Sequence, residues 1–311
     1  MRSFSEIAKA VIIGHAVGDA LGVPVEFKKR VELDKNPVTD MMGFGTYQVP
    51  EGSWSDDTSM VLCTLDVLKS GNIDYDKIMQ NFSKWYFDAE FTPTGVTFDA
   101  GMTCVYAIYN HYMSKKPYDQ CGLFDELSNG NGSLMRVHPV TLYLYSKQMS
   151  LKEKINVIHT VSALTHAHER SKIGCGIYSF VLWELIENPC KESIFIGLEK
   201  AKKFYENSPE ISHYSELFDK SLASKNRDKI ESSGYVVSSL VASIWCLLNS
   251  TSYNDCVLLA VNLGGDTDTI ASIAGSLAGA LYGYEAIDKY WLDTLISRKE
   301  IENLCDEVYK N

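Results

Sequence analysis

The sequence predicts an all-α protein, and three observations carry that expectation. Apolar residues recur at helical spacing over 60–69, 102–113, 155–164, 173–186, 236–248 and 270–281. Several of these segments are apolar almost all round, as the central helices of a large bundle are. No ladder of short alternating segments with hairpin turns competes with them, which disfavours a β-sandwich or a parallel nucleotide-binding sheet.

Each element has its own signal. The opening segment, MRSFSEIAKAVIIGHAVGDALG, holds a short apolar stretch broken by His15 and Asp19 and preceded by Glu6 and Lys9. It reads as a buried helix rather than a cleaved leader, and no apolar run in the chain is expected to span a bilayer. Residues 34–54 and 116–133 form long loops containing Gly and Pro, of a length that function often occupies. Segment 206–234 is polar, is broken by Pro209, and is expected to carry short surface helices. Gly275 and Gly279, with Ser272 and Ala278 nearby, would let two helices pack closely in the core. With no linker, repeat or low-complexity tract, residues 1–311 read as one domain.

Composition narrows the function classes. A chain of 311 residues with 45% hydrophobic content can bury a large core. Its 29 basic and 40 acidic residues give a formal charge of -11, which disfavours binding to a nucleic-acid polymer. A small anionic ligand stays compatible where metal ions or helix N-termini supply local positive potential. The 8 cysteines include no C-x-x-C pair, and Cys63, Cys104, Cys175, Cys246 and Cys256 sit inside apolar helical patterns. Reduced thiols in a cytoplasmic, monomeric protein that does not engage membranes are the expectation.

Chemistry enters through two acidic clusters far apart in the chain. One is Ser55-Asp56-Asp57-Thr58; the other is Gly264-Gly265-Asp266-Thr267-Asp268-Thr269. Each stands just before a long apolar helix, where simple capping would explain one or two of the acids. Capping does not explain why hydroxyl and carboxylate groups are interleaved twice at this density. If the clusters meet, like charges about 4 Å apart repel by roughly 4 kcal/mol per pair at an effective dielectric near 20. Two divalent cations would cancel four such charges, and an all-oxygen donor set selects Mg²⁺, Mn²⁺ or Ca²⁺ over zinc. The spacing does not fit an EF-hand loop.

At this point the chain resembles the ADP-ribosylglycohydrolases. The resemblance runs in order through GDALGVPVEF (from Gly18), PEGSWSDDTSM (from Pro50), FDAG (from Phe98) and NGNGSLMRVHPV (from Asn129). It continues through LTHAHERS (from Leu164), SGYVVSSLVASIW (from Ser233) and NLGGDTDTIASIAGSLAGALYG (from Asn262). It implies a compact orthogonal multi-helix bundle with two Mg²⁺ or Mn²⁺ ions in a central cleft. By resemblance the metal ligands are Ser55, Asp56, Asp57, Asp266, Asp268 and Thr269. Ser55 stands where the family usually has Thr, and a serine hydroxyl ligates equally well.

The remaining motifs divide between plain structural and functional readings. Glu26 taken alone is a solvated loop carboxylate; by resemblance it is a mobile acid near the metals. Asp19, in mid-helix, is expected to be a buried hydrogen-bonding residue. Asp99 is either a first-turn or capping acid of the helix at 102–113 or, by resemblance, a partner for the substrate guanidinium. The loop Asn129-Gly130-Asn131-Gly132-Ser133 would open a helix and offer backbone N–H groups to a diphosphate, with Asn131, Gly132 and Ser133 as the ligand-binding candidates. Met135, His166 and Tyr235 are implied to line the ligand cleft, against the alternative of core packing for Met135 and Tyr235. Arg136 either neutralises phosphate or forms an internal salt bridge, and His168 is structural.

Together these imply a hydrolase acting on ADP-ribosylated protein, with ADP-ribose as product and an arginine linkage as the first expectation. The catalytic candidates are Glu26, Asp57 and Asp99. Hydrolysis of serine- or nucleotide-linked ADP-ribose, a two-metal phosphoesterase and a non-catalytic crystallin-like relative are the competing readings.

Overall fold

The computed structural model describes residues 2–310, and among them helices are the regular elements; two isolated bridges, Leu123 with His166 and Gly130 with Tyr235, are the nearest approach to a sheet. The first third holds α1 (Phe4–Gly22), α2 (Arg30–Leu33), α3 (Asp56–Leu68), α4 (Tyr75–Asp88) and α5 (Met102–Tyr112). Next come α6 (His138–Tyr145), α7 (Leu151–Ala163), α8 (Glu169–Glu187) and α9 (Lys191–Phe204). The last third holds α10 (Val236–Leu248), α11 (Tyr253–Val261), α12 (Thr267–Tyr282), α13 (Lys289–Thr294) and α14 (Arg298–Tyr309). The all-α expectation is what the structure shows.

All six predicted helices are present. α3, α7, α8 and α12 begin about one turn earlier than their apolar periodicity suggests. Their first turns are polar: Ser55, Ser150 and His168 cap α3, α7 and α8 by accepting backbone N–H bonds, and such residues do not register as periodic. Helices α4, α9 and α14, which the sequence reading did not single out, are more polar and amphipathic, each burying one face and exposing the other. Segment 206–234 does form short 3₁₀ turns, but it also buries Tyr214, Leu217, Leu222 and Ile230.

α1 is the axis of the molecule. A capping box starts it, with the Ser3 hydroxyl accepting from Glu6 N–H while the Glu6 carboxylate accepts from Ser3 N–H at 2.7 Å. From Ile7 to Gly22 almost every residue except Lys9 is buried. Contrary to the sequence expectation, residues 4–25 are long and apolar enough by length and composition to cross a membrane. Here 94% of the most apolar window is covered by the rest of the protein.

The partner covering it is mainly α12, and small residues permit the contact. A methyl group on Gly18 would stand 2.2 Å from the Ala271 carbonyl oxygen, and one on Gly22 would stand 2.3 Å from the Asp268 Cα. Gly275 and Gly279 make the reciprocal approach to Gly14 and Ala10, as their spacing predicted. The C-terminal end of α1 therefore lies directly against the N-terminal end of α12, where the second acidic cluster sits.

Candidate active site

Three helix ends converge to make the floor of the site. Asp19, near the end of α1, accepts from Ser55 N–H (2.9 Å), Thr58 N–H (3.0 Å) and the Thr58 hydroxyl (2.6 Å). It ties α1 to the start of α3 and is the buried hydrogen-bonding residue expected from sequence. Asp57, in the first turn of α3, reaches across to α12. It accepts from the Ser272 hydroxyl at 2.7 Å and the Thr269 hydroxyl at 3.1 Å, while the Ser55 hydroxyl approaches the same oxygen as Thr269 at 3.2 Å.

The two sequence clusters thus meet. One oxygen each from Asp19, Asp57 and Asp268 lie within 4.8 Å of one another, and so do oxygens from Glu26, Asp266 and Asp268. Asp268 belongs to both groups, and its Oδ2 is buried without a hydrogen-bond partner. Asp56 joins neither group; it lines the adjoining cleft and accepts from Gly101 N–H at 3.4 Å. Asp19 and Glu26, absent from the ligand set the resemblance implied, stand in the places beside Asp57 and Asp266.

Burial shapes the electrostatics first and neighbouring charge second. Desolvation pushes the Asp56, Asp57 and Asp268 carboxyls well above the usual range, with further raising from Asp99, Asp19 and Glu26 respectively. Asp266 is raised by the same burial, and Asp19 is pushed up to about 6. An orphaned buried oxygen among crowded carboxylates, with hydroxyls as the other donors and no thiolate or imidazole, fits hard divalent cations.

Above the floor the sequence reading needs correction. Glu26 is not a solvated loop carboxylate: it is 5% exposed, directly after a short 3₁₀ turn over Val23–Val25 that extends α1. Asp99 is not a cap of α5, whose N-cap is Gly101; its backbone is left-handed, with φ 55°. Both acids meet a residue that sequence reasoning missed. The Tyr47 hydroxyl lies 2.5 Å from Glu26 Oε2 and 2.7 Å from Asp99 Oδ1, and its ring rests on Phe98 with centroids 4.9 Å apart. A phenol has one proton, so two short contacts with acids require a second. Burial, then the Asp99 charge, pushes Glu26 up to about 9, which makes Glu26 the holder of that proton.

The contact is built from strained backbone. Phe27, Phe44, Gln48 and Asp99 all adopt left-handed φ values (66°, 63°, 55° and 55°) in the three segments that meet at Tyr47. Gly45, at φ 78°, has no room for a side chain against the Pro24 carbonyl. Thr46 pins the loop by donating from N–H to Pro24 O (3.1 Å) and from its hydroxyl to Glu26 O (2.9 Å).

A cleft of about 240 Å³ opens over this floor. Asn131, Gly132, Met135 and His166 line it, together with Thr103 and Cys104 of α5. Asn131 also bridges to the floor, donating to Asp266 Oδ2 at 2.8 Å. The 129–133 turn does not open a helix, since α6 begins only at His138. Backbone bonds from Asn131 N–H to Gly234 O and from Val236 N–H to Asn129 O pin it instead. Ser133 points into the core, where its hydroxyl accepts from Ser162 at 2.9 Å. Tyr235 caps α10, is half-buried beside the cleft, and lies under the Arg170 guanidinium at 5.9 Å. Arg136 neither faces the cleft nor pairs with an acid, being fully buried over the Phe82 ring. His168 is structural, capping α8 through Arg170 N–H.

Six clustered carboxylates, five of them buried and Asp266 half-buried, thus lie beneath a polar cleft in a helical bundle, an arrangement that could hold divalent cations beside a bound ligand. The family model for ADP-ribosylglycohydrolases matches residues 2–311, and the chain belongs to that family. It is 33% identical over 303 residues to the ADP-ribosylarginine hydrolase Tri1 of Serratia proteamaculans, covering 97% of this chain and 78% of the relative. It is 28% identical to the ADP-ribosyl-(dinitrogen reductase) glycohydrolase of Rhodospirillum rubrum, covering 96% and 94%. A solved structure described as an ADP-ribosylglycohydrolase-related protein complex superposes with a TM-score of 0.81 at 26% identity, covering 100% and 99%.

Proposed function

We propose that this chain is a metal-dependent hydrolase that releases ADP-ribose from modified arginine side chains. The observation that carries the reading is the pair of three-carboxylate groups sharing Asp268, placed directly under a cleft with a further carboxylate, Asp99, at its mouth. Relatives named ADP-ribosylarginine hydrolase, at 33% identity, support the arginine linkage.

Ser55, Asp56, Asp57, Asp266, Asp268 and Thr269 would hold two Mg²⁺ or Mn²⁺ ions, with Glu26 at the edge of the set. Such ions supply charge neutralisation and a fixed anchor for ribose hydroxyls when bound. The protein's own groups do the rest. Asn131 and the Gly132 backbone orient the ligand, and Met135 and Cys104 close off its apolar side. The Asp99 carboxylate holds the guanidinium through paired N–H bonds. Water adds at the anomeric carbon as the carbon–nitrogen bond breaks, so the water gives up one proton and the departing guanidine takes one up. Glu26, which holds a proton in the resting site, would give it to the departing guanidine once freed from Tyr47 and take one back from the water.

The test is ADP-ribose release from arginine- and serine-modified proteins with and without Mg²⁺, repeated on Asp99→Asn. Arginine-linked substrate should be cleaved only with the ion present, and Asp99→Asn should lose turnover while keeping affinity for free ADP-ribose. Cleavage of the serine-linked substrate alone, or normal turnover in Asp99→Asn, would overturn the arginine assignment.

A further inference from the structure

Arg136 poses a physical problem that the cleft chemistry does not absorb. Its side chain is fully buried, no carboxylate pairs with it among the described residues, and its Nε and Nη1 have no partner. Burying an unpaired cation is costly, and one apolar ring face offsets little of that cost. The two bonds it does make both come from Nη2, to the Val161 carbonyl at 3.2 Å and to the Thr165 hydroxyl at 2.8 Å.

The second bond has a directional consequence. A guanidinium only donates, so the Thr165 oxygen accepts from Arg136. Thr165 is itself fully buried, and its other hydrogen-bond partner is His166 Nδ1 at 2.8 Å. The hydroxyl proton therefore goes to Nδ1. The nearby Cys104 thiol is the weaker acceptor for it, being a neutral thiol kept protonated by burial and donating toward the Gly132 carbonyl, whereas Nδ1 lies at 2.8 Å. With Nδ1 accepting, the ring proton must sit on Nε2. The Nε2 edge is the one that faces the cleft: a methyl group on Gly130 would stand 3.4 Å from it, and both Gly130 and His166 line the cavity.

We propose that Arg136 acts through Thr165 to lock His166 in the Nε2–H tautomer, giving the cleft one fixed, neutral hydrogen-bond donor aimed at an oxygen of the bound ligand. Arg136 and Thr165 are positioning residues, and His166 alone touches ligand. Burial, helped by the Arg136 charge, holds the ring neutral down to about pH 3, so His166 is a donor and takes no part in proton transfer. The identity of the accepting oxygen, on ribose or diphosphate, rests on the ADP-ribose reading above; the tautomer does not.

The experiment is nitrogen NMR on full-length protein labelled at histidine, with His166 assigned by loss of its signals in His166→Gln. Wild type without ligand should show a protonated Nε2 and a bare Nδ1, unchanged from pH 5 to pH 8. Thr165→Val and Arg136→Met should each redistribute the proton between the two nitrogens, and Thr165→Ser should restore the wild-type pattern. Affinity for ADP-ribose should fall about tenfold in Thr165→Val, the worth of one well-placed bond, and recover in Thr165→Ser. A wild-type ring protonated at Nδ1, or an unchanged Nε2–H pattern in Thr165→Val, would overturn the relay. If Arg136→Met fails to fold, Thr165→Val decides the relay alone. Absence of ADP-ribose binding by wild type with the tautomer intact would overturn the ligand reading and leave the relay standing.

Discussion

Asp57→Asn should stabilise the metal-free protein and destabilise the metal-loaded one, relative to wild type. Asp57 is fully buried and shares its group with Asp19 and Asp268, whose oxygens lie within 4.8 Å. At that separation and an effective dielectric near 20, each ionised pair repels by about 3.5 kcal/mol. Protonation within the group already relieves part of this, so removing one charge should return about 1–3 kcal/mol. The amide oxygen can keep the Ser272 bond, and the Ser55 and Thr269 hydroxyls can turn to accept from the new NH₂. In wild type, by contrast, a cation at about 100 times its Kd adds about 2.7 kcal/mol to the folded state. Thermal melts of both proteins in chelator and in saturating Mg²⁺ should therefore cross: the variant melts higher without the ion, the wild type higher with it. A variant that melts lower in chelator and still shifts with Mg²⁺ as wild type does would show that these acids form an ordinary hydrogen-bond network.

Gly22→Ala should cost about 1–3 kcal/mol and blunt the Mg²⁺-induced rise in Tm, because its methyl group would push the Asp268 backbone, whereas Gly101→Ala, with open space around it, should change Tm little. Tyr47→Phe keeps the stacking on Phe98 but unlinks Glu26 from Asp99, so kcat for the arginine-linked substrate should drop at least about tenfold with ADP-ribose affinity retained; equal kcat would make Tyr47 a bystander. His15 and His138 are buried with ring centroids 4.4 Å apart, and desolvation lowers His15 to about 3. The unfolded chain binds a proton near pH 6.5 that the fold excludes, so the stability is full above 6.5 and is lost as pH falls, by about 1.4 kcal/mol per unit. In matched buffers, His15→Asn should lose its urea midpoint less steeply than wild type between pH 6.5 and 5, and parallel curves would refute the assignment.

The floor of the site was legible in the sequence because its acids are written as contiguous runs at helix starts. Ser55-Asp56-Asp57 and Asp266-Thr267-Asp268-Thr269 each carry capping chemistry and excess charge together, and that combination has few other uses. What joins them was legible only in part. Gly275 and Gly279 announced a close helix contact, but that Gly18 and Gly22 of α1 lie against the start of α12 required the fold. Asp99 and the 129–133 turn were placed on helix starts because a helix follows each. In both cases the chain turns away first, held by bonds to residues remote in sequence. Arg136 was misread since a charge next to a glycine-rich turn suggests an anion, and only the fold reveals its complete burial.

Tyr47 was beyond reach for a more general reason. Nothing in its neighbours marks it as functional, and the loop's course depends on Gly45 meeting the Pro24 carbonyl and on the Trp54 indole donating to Ile296 O at 3.0 Å. Both contacts join segments with no local pattern in common. This separates two layers of the molecule. The acid floor is fixed by backbone-to-backbone packing of α1 against α12, which tolerates almost no change. The cleft wall and the Tyr47 loop are made of turns, each held by a few bonds and carrying several left-handed residues. Substitutions there can alter what is admitted without disturbing the floor. If the proposed function holds, substitutions at Asp99, Tyr47 and the wall beside them should shift preference between arginine and other leaving groups, while substitutions among the six floor acids should abolish cleavage of every ADP-ribosyl bond alike.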